Sequence, residues 1–93
     1  MIDASKLTQE KEKNTLLYFS SPYCMPCKMV KPFIEEQEKS KNLEIFTVNI
    51  IERQDLVEKY KVFHSPVLLK IVNGIETERY ENPQTIKEFL QKC

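Results

Sequence analysis

An α/β architecture, with a central mixed four-stranded sheet flanked by helices, is predicted for this 93-residue chain by three observations. Thr15-Leu16-Leu17-Tyr18-Phe19-Ser20 is apolar on both faces, the pattern of a strand buried between layers. Runs of helical period alternate with β-branched and aromatic runs, which is the order that covers a sheet with helices on both sides. Asn73-Gly74 stands between two strand-like runs, and both residue types accept positive φ, the signature of a tight hairpin.

In chain order, residues 3–13 are mostly polar and predict a short, weakly amphipathic helix anchored by Leu7, with Asp3 or Ser5 as N-cap. The strand of residues 15–20 follows, and then the turn Ser21-Pro22-Tyr23-Cys24-Met25-Pro26-Cys27. Met25 precedes a proline and is pushed away from helical backbone angles, whereas Pro26 has its φ preset for a first helical position. A helix is therefore expected from Pro26 to about Lys39, with Met29, Val30, Phe33 and Ile34 as its apolar stripe. Pro32 lies inside it and is expected to bend it near Lys28.

Residues 43–50 form a second β-branched and aromatic strand, and 53–60 a short helix with Leu56, Val57 and Tyr60 inward. Phe63-His64-Ser65-Pro66 leads into the strand Val67 to Val72, and the hairpin returns as Ile75 to Glu81. Two starts are open for the last helix: Asn82 as cap with Pro83 first, or Thr85 with Glu88 as a capping box. Ile86, Phe89, Leu90 and Cys93 share one face in either case. One domain over residues 1–93 is expected, with neither repeat nor linker.

The 14 basic and 14 acidic side chains cancel, so charge offers no footprint for nucleic acid or an anionic membrane. Met1-Ile2-Asp3-Ala4-Ser5-Lys6 lacks the basic-then-apolar pattern of a signal peptide, and no apolar run approaches membrane-spanning length. The expected setting is cytoplasmic. Three cysteines are too few and too odd in number for a secreted disulfide framework. Cys93 is the one left over and reads as a terminal residue completing a helix face.

Cys24 and Cys27 carry the chemistry. Cys24 falls just before the expected helix, near its unpaired N–H groups and the positive end of its dipole, and Cys27 falls in the first turn. A thiol there ionises more readily than in water, and two sulfurs across such a turn can join and separate as a reversible disulfide. Lowering a thiol pKa from ~8.5 to ~6.5 raises the neutral-pH thiolate fraction from about 3% to about three quarters. Nucleophilicity falls about tenfold on the same change, so the net gain is only about threefold. Most of the rate must therefore come from holding a partner disulfide against one thiol with the other ready to resolve it.

With these residues in view, the chain resembles the thioredoxin family over nearly its whole length. The shared features are Tyr23-Cys24-Met25-Pro26-Cys27-Lys28 after a buried strand, Pro32 inside the helix, Ser65-Pro66 opening a strand, and Asn73-Gly74 at the hairpin. The resemblance implies a thioredoxin-like fold whose first strand is reduced or absent here. It implies a protein-disulfide reductase with Cys24 as attacking thiol, Cys27 as resolving thiol and Pro66 as a cis-proline facing them. Tyr23, Met25, Pro26, Ser65 and Pro66 would contact the substrate. The implied partners are disulfide-containing proteins and, as electron donor, a reductase or a low-molecular-weight thiol. No cofactor or metal is implied, and a monomer is expected. The chain differs from the family in carrying Met25 where glycine is usual and Tyr23 where tryptophan is usual. Tyr18 stands at the position of a buried aspartate, and Thr47 near that of a sheet lysine.

Other readings stand beside this one. Zinc would need four ligands, and only His64 and Cys93 are on hand to complete a set with the pair. A glutaredoxin-like, glutathione-coupled enzyme is favoured by the short amino-terminal region but not by the Ser65-Pro66-Val67 context. A non-catalytic binding module would use the Tyr23, Met25 and Pro66 surface without electron transfer. His64 is more simply a loop-surface residue than a base, and Tyr18 a core aromatic whose hydroxyl finds a partner.

Overall fold

The computed structural model describes residues 1–93. Five strands form one sheet: β1 (Ile2–Asp3), β2 (Thr15–Ser20), β3 (Ile45–Asn49), β4 (Val67–Val72) and β5 (Ile75–Tyr80), in the order β1-β3-β2-β4-β5. Four helices cover it: α1 (Gln9–Glu12), α2 (Met25–Ser40), α3 (Gln54–Tyr60) and α4 (Pro83–Lys92). β1 and β2 run parallel to β3, while β4 is antiparallel to both β2 and β5. The sheet is mixed as expected but has five strands, not four. The first strand is reduced to two residues and not lost, because Ile2 and Asp3 pair with Phe46 and Thr47.

The central position of β2 explains why its residues are apolar on both faces. Leu17 and Phe19 join Phe46, Val48, Leu56, Tyr60 and Leu69 in one buried cluster. Tyr18 points the other way and packs with Cys27, Val30, Ile34, Leu68, Ile86 and Leu90 from α2, β4 and α4. Asn73 and Gly74 both have positive φ, 53° and 78°, as a two-residue hairpin turn requires. That turn is tied down by Gly74 N–H donating to the Lys13 carbonyl at 2.8 Å.

Residues 3–13 are not one helix. Asp3 accepts the Ser5 N–H at 2.8 Å and caps only a 3-10 turn, Ala4–Lys6. Leu7 is extended and packs against the core, and Thr8 then caps α1 by accepting the Lys11 N–H. A hydroxyl able to cap locally competes with helix continuation, and here it wins. α2 begins one residue earlier than expected, at Met25, with Cys24 as its N-cap, and continues through Pro32. Met29, expected in the apolar stripe, is 75% exposed, whereas Val30 and Ile34 are buried as expected. Of the two starts open for α4, Asn82 is the cap and accepts the Thr85 N–H at 2.9 Å. Thr85 directs its hydroxyl back to the Asn82 carbonyl, so no capping box with Glu88 forms.

Glu12 links α1 to α3. It accepts from the Tyr60 hydroxyl at 2.6 Å and from the Lys59 ammonium. Burial opposes its charge, but these two donors outweigh that and hold the carboxyl below its ordinary value of 4.5. A depressed folded-state pKa stabilises above the unfolded value and loses that stabilisation as pH falls through the folded one. Thermal unfolding should therefore show a loss of stability below about pH 4.5 that is smaller in Glu12→Gln than in the wild type. Equal pH dependence in the two proteins would remove this role from Glu12.

Candidate active site

Cys24 and Cys27 are joined as a disulfide with Cα atoms 5.3 Å apart. The turn that holds them follows from local chemistry. β2 ends at Ser20, the Ser21 hydroxyl accepts the Tyr23 N–H at 3.1 Å, and the Cys24 N–H donates to the Ser21 carbonyl at 3.1 Å. Cys24 has extended angles, φ −98° and ψ 105°, and its Sγ accepts the Cys27 N–H at 3.2 Å. The sulfur thus takes the place that a serine or aspartate oxygen usually holds at a helix start, beside the unpaired N–H groups. Negative charge on that sulfur is stabilised by the N–H and by the helix dipole.

The two cysteines differ in access. Cys27 is only 4% exposed and belongs to the core cluster on the α2 side of the sheet, whereas Cys24 is half-buried and flanked by exposed Tyr23, Met25 and Pro26. Ser65 and Pro66 are joined by a cis peptide bond, as the resemblance implied. Phe19 stands opposite Val67, so Pro66 enters the sheet beside the end of β2, where the cysteine turn begins. All of the site residues named from sequence therefore lie at one end of the sheet. His64 is exposed in the preceding loop and faces Glu81, Nε2 to Oε2 3.7 Å, which makes it a surface residue paired with a carboxylate.

Behind the disulfide the structure adds what the sequence order could not reveal. Tyr18 is 1% exposed, and its hydroxyl donates to the Cys27 carbonyl at 3.2 Å. Burial pushes its phenol far above the ordinary range, so it stays neutral. Thr47 is its register partner on β3 and Asp3 is next in the same row on β1. Tyr18, Thr47 and Cys27 line a polar cleft of about 430 Å³, with Asp3, Lys28 and Glu35 also bordering it. Nothing in the sequence pattern joins residue 18 to the carbonyl of residue 27, since that contact depends on how α2 lies across β2.

Cys93 follows α4, away from the pair, with a largely exposed side chain; the partial loss of water around its sulfur pushes its thiol up, against the pull of Lys41 and Lys70. The zinc reading required His64 and Cys93 beside the disulfide, and no three His, Cys, Asp or Glu side chains converge as a metal-holding group. No helix is long and apolar enough to cross a membrane.

Comparison with known proteins places this geometry among relatives. Residues 4–93 match the family model described as Thioredoxin. The chain is 33% identical over 95 residues to the thioredoxin of Bacillus subtilis (strain 168), covering 97% of this chain and 91% of that one. It is 31% identical over 83 residues to thioredoxin-1 of Saccharomyces cerevisiae, covering 86% and 81% of the two chains. These identities and coverages bear on family. The Fasciola hepatica thioredoxin structure bears on fold, with a TM-score of 0.79 at 23% identity over 97% of this chain and 93% of that one.

Proposed function

The chain belongs to the thioredoxin family and is a thiol–disulfide oxidoreductase, and we propose that it reduces protein disulfides with Cys24 as the attacking thiol and Cys27 as the resolving thiol. The observation that carries this is the asymmetry of the pair: Cys24 Sγ caps a helix and receives an N–H, while Cys27 is buried behind it. In the first step the Cys24 thiolate attacks one sulfur of a substrate disulfide, and the other sulfur leaves as thiolate. Cys27 then loses its proton and attacks Cys24 Sγ. The Cys24–Cys27 disulfide forms, the mixed disulfide breaks, and the substrate departs with both electrons as a dithiol.

Exposed Tyr23, Met25 and Pro26 would supply the substrate-contacting surface beside Cys24, and half-buried Ser65, held by its cis bond to the buried Pro66 at the same end of the sheet, would offer its backbone to an extended substrate. An unbranched thioether such as Met25 adapts to varied contacts, which suits a range of protein substrates. We assign the protein a cytoplasmic, monomeric, single-domain role over residues 1–93, reoxidised by substrate and reduced by a reductase or a low-molecular-weight thiol.

Cys27→Ser is expected to accumulate a covalent mixed disulfide with a disulfide substrate, visible by non-reducing electrophoresis, because the resolving thiol is gone. Alkylating the reduced wild type at mildly acidic pH should modify Cys24 first. Preferential labelling of Cys27 would reverse the two roles.

A further inference from the structure

Tyr18 and Cys24 are connected through a single residue. The Tyr18 hydroxyl holds the Cys27 carbonyl at 3.2 Å, and the N–H of that same Cys27 reaches Cys24 Sγ at 3.2 Å. The carbonyl and the N–H sit on either side of one Cα, so fixing the carbonyl restricts the backbone rotation that would turn the N–H away from the sulfur. The anchor is rigid, because Tyr18 stands at the centre of β2 with strand partners Thr47 and Leu68 on its two sides. It is also a neutral anchor, since its buried phenol does not ionise.

We propose that Tyr18 is a positioning residue for the redox reaction: its hydroxyl aims the Cys27 N–H at Cys24 Sγ and so stabilises the Cys24 thiolate relative to the disulfide. The inference rests on the reading of Cys24 as the thiol that ionises. Above the Cys24 pKa, reduction adds two electrons and one proton to the disulfide, breaking the S–S bond and leaving Cys24 as thiolate and Cys27 as thiol. An N–H bonded to charged sulfur is stronger than one bonded to a neutral sulfur, so aiming it favours the reduced state. Without the hydroxyl, the Cys27 carbonyl is left to its position in the first turn of α2 alone, and the N–H is aimed less firmly at the sulfur.

The charged groups around this unit are Asp3, Lys28, Lys31, Glu35 and Glu52 along the adjoining cleft, and His64 in the loop before Pro66. None of them is altered by Tyr18→Phe, which keeps the ring and removes only the hydroxyl, a loss of one hydrogen bond that leaves the protein folded. Any change in the thiols therefore reports on the hydroxyl itself.

The test compares wild type and Tyr18→Phe by thiolate absorbance titration, by alkylation rate against pH, and by equilibrium with a dithiothreitol redox buffer, with thermal unfolding alongside. The expected result is a rise of about half a unit in the apparent Cys24 pKa, if close to half of the stabilisation given by a hydrogen bond to a charged group is lost. The disulfide should be favoured about threefold more over the dithiol at pH above that pKa, a shift of about 15 mV to more negative potential. A folded Tyr18→Phe protein with a lower unfolding temperature but unchanged pKa and redox equilibrium would show that the hydroxyl only satisfies itself, and would overturn the proposal. Alkylation of Cys27 ahead of Cys24 in the wild type would overturn the assignment of roles instead, and that outcome is read from the site of labelling and not from Tyr18.

Discussion

Cys24→Ser is expected to abolish turnover of a protein disulfide, with activity falling by about three orders of magnitude or more, as when other catalytic nucleophiles are removed. A serine hydroxyl can still cap α2 through the Cys27 N–H, so the fold should survive; what disappears is the ionised sulfur that attacks. The measurement is steady-state reduction of a disulfide-bonded protein in the presence of a dithiol donor, together with a search for covalent adducts. The Cys24→Ser protein should form none, in contrast to the trapped mixed disulfide of Cys27→Ser. Adducts forming at Cys27 with a substantial rate would mean that the buried sulfur is open to substrate.

The largest effect on stability is expected from Phe19→Ala. Phe19 is fully buried at the centre of the sheet and meets Tyr60 edge-on at 6.5 Å between ring centroids. Truncating a buried phenylalanine typically costs about 3–5 kcal/mol, from lost transfer free energy and from the cavity left behind. That is a large part of the roughly 5–15 kcal/mol available to a small domain, so the urea midpoint should fall steeply and the variant should be marginal at 37 °C. Met29→Ala is the matched control. Met29 is 75% exposed, and its truncation should change stability by no more than about 0.5 kcal/mol. A loss of several kcal/mol at Met29, or none at Phe19, would contradict the two positions in the fold.

Met29 also illustrates where pattern reading stops. Val30 and Ile34, spaced by one helical turn, are buried in α2, and Phe33 packs partly against the same cluster. Met29 satisfies the same arithmetic, but a stripe drawn from spacing alone has no fixed edges. Which flank of it reaches the core depends on the angle at which α2 crosses the sheet. The polar run of residues 3–13 shows the same limit from another side. Its composition allows a helix, yet pairing of Asp3 with Thr47 and inward packing of Leu7 divide it.

Several features follow directly from the order of residues. The buried central strand, the hairpin at Asn73-Gly74, the Asn82-Pro83 helix start and the reactive turn at Cys24–Cys27 are each set by local chemistry: backbone angles, caps and hydrophobic period. These act over a few residues, so a short window of sequence contains them. The resemblance of the cysteine turn, Pro32 and Ser65-Pro66 to one family extended that reading to the cis bond. Other features depend on which distant segments pack together. The added edge strand, the exposure of Met29, the His64–Glu81 pair and the Tyr18 hydroxyl on the Cys27 carbonyl are all of this kind. Each joins residues through layer geometry, because a side chain's partner across a sheet is chosen by strand register and helix placement, and no local propensity encodes either.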